Sequence, residues 1–170
     1  MKHFFKARTA ADWIAKARRS HKGRFLSQES RDRRARRYCR TALELEPSNW
    51  EALYWLGRLQ LGSSDQEAIK CLEQATKLNP DNADVLVYLS NALDNCGRHE
   101  AAKPLLKRAL ALDPRNAEAH WRKAKQLIQE EAPLEELRRE LALLRELDPH
   151  HPMLLLFDAF ARVTREAKRM

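Results

Sequence analysis

The residues with the most reactive side chains are three cysteines and a pair of neighbouring histidines. Cys39, Cys71 and Cys96 form no CxxC pair, and their odd number does not suit a disulfide framework, so reduced thiols are predicted. His150 and His151 follow a helix-closing Asp-Pro, where a solvated turn is favoured over a metal site. The sequence contains no P-loop, GxGxxG, GxSxG or HExxH motif. We therefore predict a non-enzymatic protein with no cofactor and no bound metal.

Positive charge is concentrated near the start of the chain. Residues 1–40 contain 14 Lys or Arg against 3 acidic residues, and since the whole chain has a net charge of +8, residues 41–170 carry −3. Such a segment attracts acidic proteins, nucleic acid or an anionic membrane surface, and its composition also fits a targeting segment. We rank an acidic partner first, because few aromatic residues accompany the cations. The predicted basic patch consists of Arg18, Arg19, Lys22, Arg24, Arg31, Arg33, Arg34, Arg36, Arg37 and Arg40.

Helices must position these side chains. Only 4 of the 170 residues are Gly, whereas Ala, Leu, Glu, Arg and Lys dominate, which is the composition of an all-α domain. No apolar stretch is long enough to cross a bilayer, and the first residues lack the apolar run of a secretion signal. The sequence therefore predicts one helical domain located in the cytoplasm.

The chain repeats itself. Four similar segments each end in a proline, and these prolines are 33, 34 and 35 residues apart: Pro47, Pro80, Pro114 and Pro149. Proline closes a helix, and an Asn two residues after each of the first three suits the next helix start. Each period is therefore predicted to be helix, turn, helix, turn. Inside the first full period, Gly62 is expected to be left-handed, and Ser64 with Glu67 to form a capping box.

The positions of small and large residues within each period carry a known pattern. Leu53, Leu56 and Gly57 lie in the first helix of the first full period, and Ala68 and Leu72 lie in the second. This spacing resembles the tetratricopeptide repeat (TPR), W-x-x-L-G-x-x-Y followed by A-x-x-x-F and P. The second period keeps it with Leu86, Leu89, Ser90, Ala102, Leu106 and Ala109. The third is degenerate, because its second helix has leucines in place of small and aromatic residues.

The resemblance implies an all-α, right-handed superhelix of about three repeats. A TPR array is expected over residues 31–149, with residues 9–19 as a partner helix before it. A terminal cap is favoured over a docking role for the last helix, and self-association through the apolar residues 153–160 is a further alternative. The predicted segments are a basic N-terminal segment (1–30), the second helix of a partial repeat (31–47), three repeats (48–80, 81–114 and 115–149) and a C-terminal capping helix (150–170).

The family resemblance also implies a function. The first helices of TPR repeats line a concave groove, and proteins with this repeat are typically adaptors or scaffolds, although the fold does not fix the ligand. The expected exposed positions mix apolar and basic side chains, which suits a partner peptide with apolar and acidic residues. For any one of them, packing between helices is an equally good interpretation. The predicted groove residues are Tyr54, Arg58, Leu61, Val87, Asn91, Asp94, Trp121, Arg122, Lys125 and Ile128. Only Arg122 matches the residues with which related repeats hold chaperone C-termini.

Overall fold

The chain is built of consecutive α-helices joined by short turns. The computed structural model describes residues 9–22 and 27–155. Within those ranges there are eight complete α-helices and no strand, which confirms the all-α prediction. The helices are α1 (Ala10–Lys22), α2 (Gln28–Leu45), α3 (Trp50–Gln60), α4 (Asp65–Leu78), α5 (Ala83–Asn95), α6 (His99–Leu112), α7 (Ala117–Gln129) and α8 (Leu134–Leu147).

Some predictions concern residues that lie outside these ranges. Arg24 of the basic patch is one of them. The predicted capping helix lies inside the described chain only as far as residue 155, with residues 152–155 helical. The apolar stretch expected to self-associate, 153–160, lies mostly outside it as well.

The helix boundaries follow the asparagine and proline positions. The side chains of Asn49, Asn82 and Asn116 accept hydrogen bonds from the backbone N–H groups three residues later, at 3.0, 3.1 and 2.9 Å. Each such bond satisfies a donor that the first helical turn would otherwise leave without a partner. The helices α2, α4, α6 and α8 each end two residues before a repeat-closing proline. Proline disfavours the helical conformation of the residue before it, so the predicted succession of helix and turn is observed.

The turn between α3 and α4 differs in part from its prediction. Gly62 has a φ of +75°, the left-handed conformation expected for it. Ser64 is the N-cap of α4, but its side chain makes no capping hydrogen bond to any described residue, so the predicted capping box is wrong. The Asp65 carboxylate accepts a hydrogen bond from the Gly62 N–H at 2.9 Å instead. The Asp65 side chain, in the first turn of α4, therefore stabilises the loop between α3 and α4.

Contacts between helices divide the chain into two compact units, unit 1 (1–105) and unit 2 (106–170). In unit 1 the helices α1 to α5 pack in sequence order, and α3 also adjoins the first helices of the neighbouring repeats, α1 and α5. In unit 2, α7 packs on α8. The helix α1 lies in the predicted basic segment and pairs with α2, which begins three residues before the predicted start. The partial repeat therefore has both of its helices.

Small residues allow the close approach of helices inside unit 1. Alanines dominate the fully buried positions of α2, α3 and α4. A Cβ atom placed on Gly57 of α3 would lie 2.7 Å from the Leu72 Cγ and 3.1 Å from the Ala68 carbonyl oxygen, both on α4. Those distances are shorter than van der Waals contact, so the two helices touch where the sequence has glycine. The repeat pattern has a small residue at this position because a larger side chain would separate the two helices.

Candidate functional site

Aromatic rings and arginines alternate along the first helices of unit 1. The guanidinium carbon of Arg58 lies 4.9 Å from the centroid of the Trp55 ring and 4.9 Å from that of Tyr88. Trp55 and Arg58 are three residues apart on α3 and therefore share a face, whereas Tyr88 comes from α5. Both distances are within the range of cation–π attraction. Two adjoining helices thus hold one guanidinium group between two rings.

The same surface continues onto α1. The guanidinium carbon of Arg18 lies 5.8 Å from the centroid of the Trp55 ring, and Arg18 forms an ion pair with Glu51 on α3. We call Arg18, Glu51, Trp55, Arg58 and Tyr88 the aromatic–arginine surface. Trp55 is 7% exposed, and its indole N–H has no hydrogen-bond acceptor among the described residues. Two cations therefore flank a buried donor that no acceptor satisfies.

Tyr54 lies beside this surface. Its ring centroid is 5.7 Å from those of both Trp55 and Tyr88, and both pairs are edge-to-face. Burial raises the pKa of the Tyr54 phenol well above its ordinary value, and the neighbouring Tyr88 raises it further, while the Arg58 guanidinium acts in the opposite direction. The phenol therefore stays neutral beside the Arg58 guanidinium. The contacts with the Trp55 and Tyr88 rings hold Arg58 at this position.

The unit 1 residues of the predicted groove are unequally accessible. Arg58, Leu61 and Asp94 are half-buried, and Asp94 pairs with His99. The sequence places Tyr54, Val87 and Asn91 at exposed positions, but they are 8%, 0% and 6% exposed. For Tyr54 the reason is the packing of aromatic rings between adjoining first helices.

The unit 2 residues of the predicted groove all lie on α7. Trp121, Arg122 and Lys125 are half-buried, and Ile128 is 44% exposed. The Trp121 ring lies 5.8 Å from that of His151, and Arg122 Nε donates to a carboxylate oxygen of Glu118 at 2.8 Å. Residues 121, 125 and 128 have helical spacing, so one face of α7 presents an apolar ring, a cation and an apolar chain.

The structure separates the predicted basic patch into two groups. Arg18, Arg19 and Lys22 lie on α1, and Arg18 belongs to the aromatic–arginine surface. The others lie on α2, where Arg31 bonds to Gln28, Arg33 pairs with Glu29 and Arg36 donates to Ser63 at 3.4 Å. Three exposed cations of α2 form no ion pair with any described acidic residue: Arg34, Arg37 and Arg40.

Cys39 and Cys71 do not have the character of catalytic nucleophiles. Burial raises the pKa of the Cys39 thiol to about 12, with a further contribution from Cys71, and burial also raises the pKa of Cys71. Such thiols are protonated at neutral pH and are poor nucleophiles. Within residues 9–22 and 27–155, no three His, Cys, Asp or Glu side chains are placed to hold a metal.

Unit 2 contains a buried polar cluster that the sequence did not predict. His120 Nδ1 lies 2.7 Å from a carboxylate oxygen of Glu140, His120 Nε2 lies 2.9 Å from the Pro114 carbonyl oxygen, and Lys123 also pairs with Glu140. His120 and Glu140 are 7% and 6% exposed. Both ring nitrogens of His120 therefore face oxygen atoms of the protein. The cluster ties α7 to α8 and to the turn before α7. The only sequence feature that indicated this cluster is Glu140, which lies among the regularly spaced leucines of α8.

Comparison with known families identifies the fold. Two tetratricopeptide repeat models match the chain, one over residues 26–65 and the other over residues 66–128. The chain is a tetratricopeptide repeat protein. Together the two matches span the helices α2 to α6 and most of α7, and they include four of the five members of the aromatic–arginine surface, all but Arg18. Curated proteins gave no match.

Solved structures similar to this TPR protein contain the same repeat. An O-GlcNAc transferase mutant of Thermobaculum terrenum is 26% identical with a TM-score of 0.63, but the match covers 69% of this chain and only 22% of that one. YrrB, a TPR protein with an unusual peptide-binding site, is 28% identical with a TM-score of 0.59 over 84% of this chain and 70% of its own. TTC0263, a TPR protein of Thermus thermophilus, is 21% identical with a TM-score of 0.69, over 83% and 75%.

These likenesses support a general role for the TPR protein as a scaffold for interactions between proteins. The repeat is typically a non-catalytic interaction module, and the transferase resembles this chain only through its TPR part. None of the helices in the described ranges is long and apolar enough to span a membrane.

Proposed function

We propose that this TPR protein is an adaptor or scaffold that holds a partner peptide or protein subunit against the first helices of its repeats. The observation that carries the proposal is the aromatic–arginine surface, where Arg58 lies between Trp55 and Tyr88. Rings held in place offer apolar contact area at little entropic cost, and arginine is suited to pairing with carboxylates. The partner is expected to carry apolar and acidic residues.

Two further observations support this proposal. The helix α7 of unit 2 presents a similar mixture, with Trp121, Lys125 and the exposed Ile128 on one face. YrrB, which is 28% identical over most of this chain, is a TPR protein with a peptide-binding site. Extended peptides bound in this way use apolar anchors for affinity and charged pairs for selectivity.

The proposal can be tested by selecting peptides from a random display library on the intact chain. The selected peptides are then measured by fluorescence anisotropy against two groove variants, Tyr88→Ala and Trp121→Ala. We expect at least one variant to weaken binding about tenfold or more, as for aromatic anchors in other interfaces. Lys77→Gln changes an exposed cation on α4 and serves as the control. If no peptide is enriched, or if both groove variants bind as well as the control, the proposal is wrong.

A second candidate function is supported by the unpaired arginines of α2. Arg34, Arg37 and Arg40 are exposed, and no described acidic residue pairs with them. They are suited to binding an acidic protein surface, which we rank above binding to nucleic acid or to an anionic membrane. The probes are polyglutamate, a single-stranded oligonucleotide and phosphatidylserine vesicles. Binding to them should weaken when the three arginines are changed to Gln, and the salt dependence of binding should become shallower.

A matched variant with the same loss of net charge controls for this experiment. It carries Lys77→Gln, Lys107→Gln and Arg115→Gln, three exposed positions on other parts of the chain. Equal weakening in both triple variants would mean that only net charge matters and that α2 carries no patch. The cytoplasmic location stays a prediction, which a fluorescent fusion would test.

A further inference from the structure

We propose that the helices α1 and α2 together bind single-stranded nucleic acid, with a base stacked on the ring pair of Trp13 and Tyr38. Lys16 and Arg34 bind the phosphate groups beside that base. We call these four residues the Trp13–Tyr38 surface. None of them belongs to the predicted groove, so the inference goes beyond peptide binding and does not depend on it.

The ring pair is the first argument. The centroids of the Trp13 and Tyr38 rings are 5.6 Å apart, and the ring planes are tilted by 35°. Both side chains are half-buried, so the contact between α1 and α2 holds them in place while part of each stays accessible. Proteins that bind single strands use aromatic side chains as stacking platforms, because every base has a π face. Rings held beforehand lose little entropy when a base stacks on them.

Cations beside the ring pair are the second argument. The Lys16 Nζ lies 4.3 Å from the centroid of the Trp13 ring, and its flexible stem lets the ammonium group reach a phosphate instead. Arg34 lies one turn before Tyr38 on α2 and therefore on the same side of the helix. It is exposed, and no described acidic residue pairs with it. Since a nucleotide carries its phosphate close to its base, these cations suit a strand whose base stacks on the rings.

The acidic side chains of the two helices do not neutralise this surface. The helices α1 and α2 contain ten Lys or Arg against four acidic residues, a net charge of +6. Glu44 lies ten residues after Arg34, which is about 15 Å along the helix. The other three are already bonded to neighbouring groups: Asp12 to Thr9, Glu29 to Arg33, and Asp32 to His21. The two helices therefore attract a polyanion.

The ring pair also favours nucleic acid over other anionic partners. The exposed arginines of α2 by themselves suit an acidic protein, because few aromatic residues accompany them in the sequence. Only the folded hairpin brings Trp13 of α1 beside Tyr38 and thus next to Arg34. A membrane surface binds apolar side chains that project from the protein, whereas both rings are half-buried at the contact between the helices.

Fluorescence anisotropy with labelled oligothymidylate tests the proposal on the intact chain. The matched probe is an abasic oligomer with the same number of phosphate groups. We expect oligothymidylate to bind about tenfold more tightly, because only this probe can stack. Equal binding of the two oligomers would overturn the proposal, as would tighter binding of polyglutamate or of phosphatidylserine vesicles. Oligouridylate, measured in parallel, shows whether RNA or DNA is the better source of the strand.

Two variants separate stacking from charge. Trp13→Leu removes the ring and keeps an apolar side chain, so it should weaken oligothymidylate binding about tenfold and leave both the abasic oligomer and the salt dependence unchanged. Arg34→Gln should weaken both oligomers and reduce the salt slope by about 1. Trp50→Leu and Lys77→Gln remove a half-buried ring and an exposed cation elsewhere and should change nothing. If Trp13→Leu weakens both oligomers equally, or neither, no base stacks on this ring.

Photocrosslinking keeps the proposal testable if circular dichroism shows that Trp13→Leu is unfolded. An oligonucleotide that carries iodouracil is irradiated on the unmodified chain, and mass spectrometry locates the attached residues. We expect attachment to Trp13 or Tyr38, and attachment confined to other aromatic residues would overturn the proposal.

The proposal and the second candidate function fail separately. If polyglutamate and both oligomers bind equally, and binding depends on the exposed arginines of α2 but not on Trp13, the patch on α2 remains and the stacking site is removed. If oligothymidylate binding depends on Trp13 and polyglutamate does not bind, the stacking site remains and the acidic protein is removed as a partner.

Discussion

Replacing Gly57 with alanine tests the close helix packing on which the aromatic–arginine surface depends. The added methyl group would lie 2.7 Å from Leu72 Cγ and 3.1 Å from the backbone carbonyl of Ala68. Leu72 and Ala68 are both 0% exposed, so neither can move without displacing other buried side chains. Overpacking of this kind costs about 1–3 kcal/mol. Alanine gains about 1 kcal/mol over glycine in a helix, which offsets part of that cost.

The expected net loss for Gly57→Ala is therefore about 0–2 kcal/mol in the free energy of unfolding, estimated from overpacking less helix propensity. For a chain of this size, each kcal/mol corresponds to a fall in the melting temperature of about 2–4 °C. Thermal and urea unfolding followed by circular dichroism measure it, and a burial-sensitive probe such as tryptophan fluorescence reports whether the transition is two-state. A raised melting temperature would refute the reasoning, because it would mean that the neighbours yield and that only the helix propensity of alanine is felt.

A double-mutant cycle with Leu72→Ala makes the test specific. Leu72→Ala alone should cost about 2–5 kcal/mol, because it leaves a cavity in the core. In the double variant the Gly57→Ala methyl group enters that cavity, so the combined loss should be clearly smaller than the sum of the two single losses. Additive losses would show that the two side chains do not meet.

Three further predictions follow from other parts of the chain. Glu140→Gln should destabilise unit 2 by about 3 kcal/mol, because it removes a buried carboxylate that faces His120 and pairs with Lys123, whereas a loss below about 0.5 kcal/mol in thermal unfolding would show that these contacts are unimportant. Asn82→Ala should lower stability by about 1 kcal/mol, since it removes the N-cap of α5, and Asn82→Asp should retain the native value. Cys39 should not react with a thiol reagent in the native state at any pH from about 7 to 9, because its raised pKa of about 12 keeps it protonated there. Cys96 is half-buried and should react first, and early modification of Cys39, located by mass spectrometry, would contradict both its burial and its pKa.

The two groups of arginines have different consequences for binding. In the sequence they form one basic segment, but Arg18 of α1 contacts Trp55 and Glu51 of α3, while Arg34, Arg37 and Arg40 of α2 have no described acidic partner. Salt should therefore affect them differently. Pairs near a buried ring are screened less than exposed cations, so binding that depends on α2 should fall faster with ionic strength.

The spacing of small residues and prolines was enough to predict the succession of helices. Periodicity is a local property, because proline and asparagine act on the backbone within a few residues of their own position. Gly57 of the same pattern has a packing role, because the structure places it against Leu72 and Ala68 of the next helix. Local propensity was less reliable at the turn after α3, where Ser64 and Asp65 were both able to bond to the backbone and Asp65 does so.

Residue patterns along the chain were enough to predict the fold family, the turns between helices and the location of excess positive charge, because all three depend on residues close together in the chain. Which side chains meet was visible only in the folded molecule. The tertiary structure placed Arg58 between rings of α3 and α5, brought Arg18 from α1 to Glu51 on α3, buried Val87 and Asn91, and joined His120 to Glu140 across 20 residues. Contacts of this kind depend on how adjoining helices are rotated and spaced, which results from the packing of all their buried side chains together.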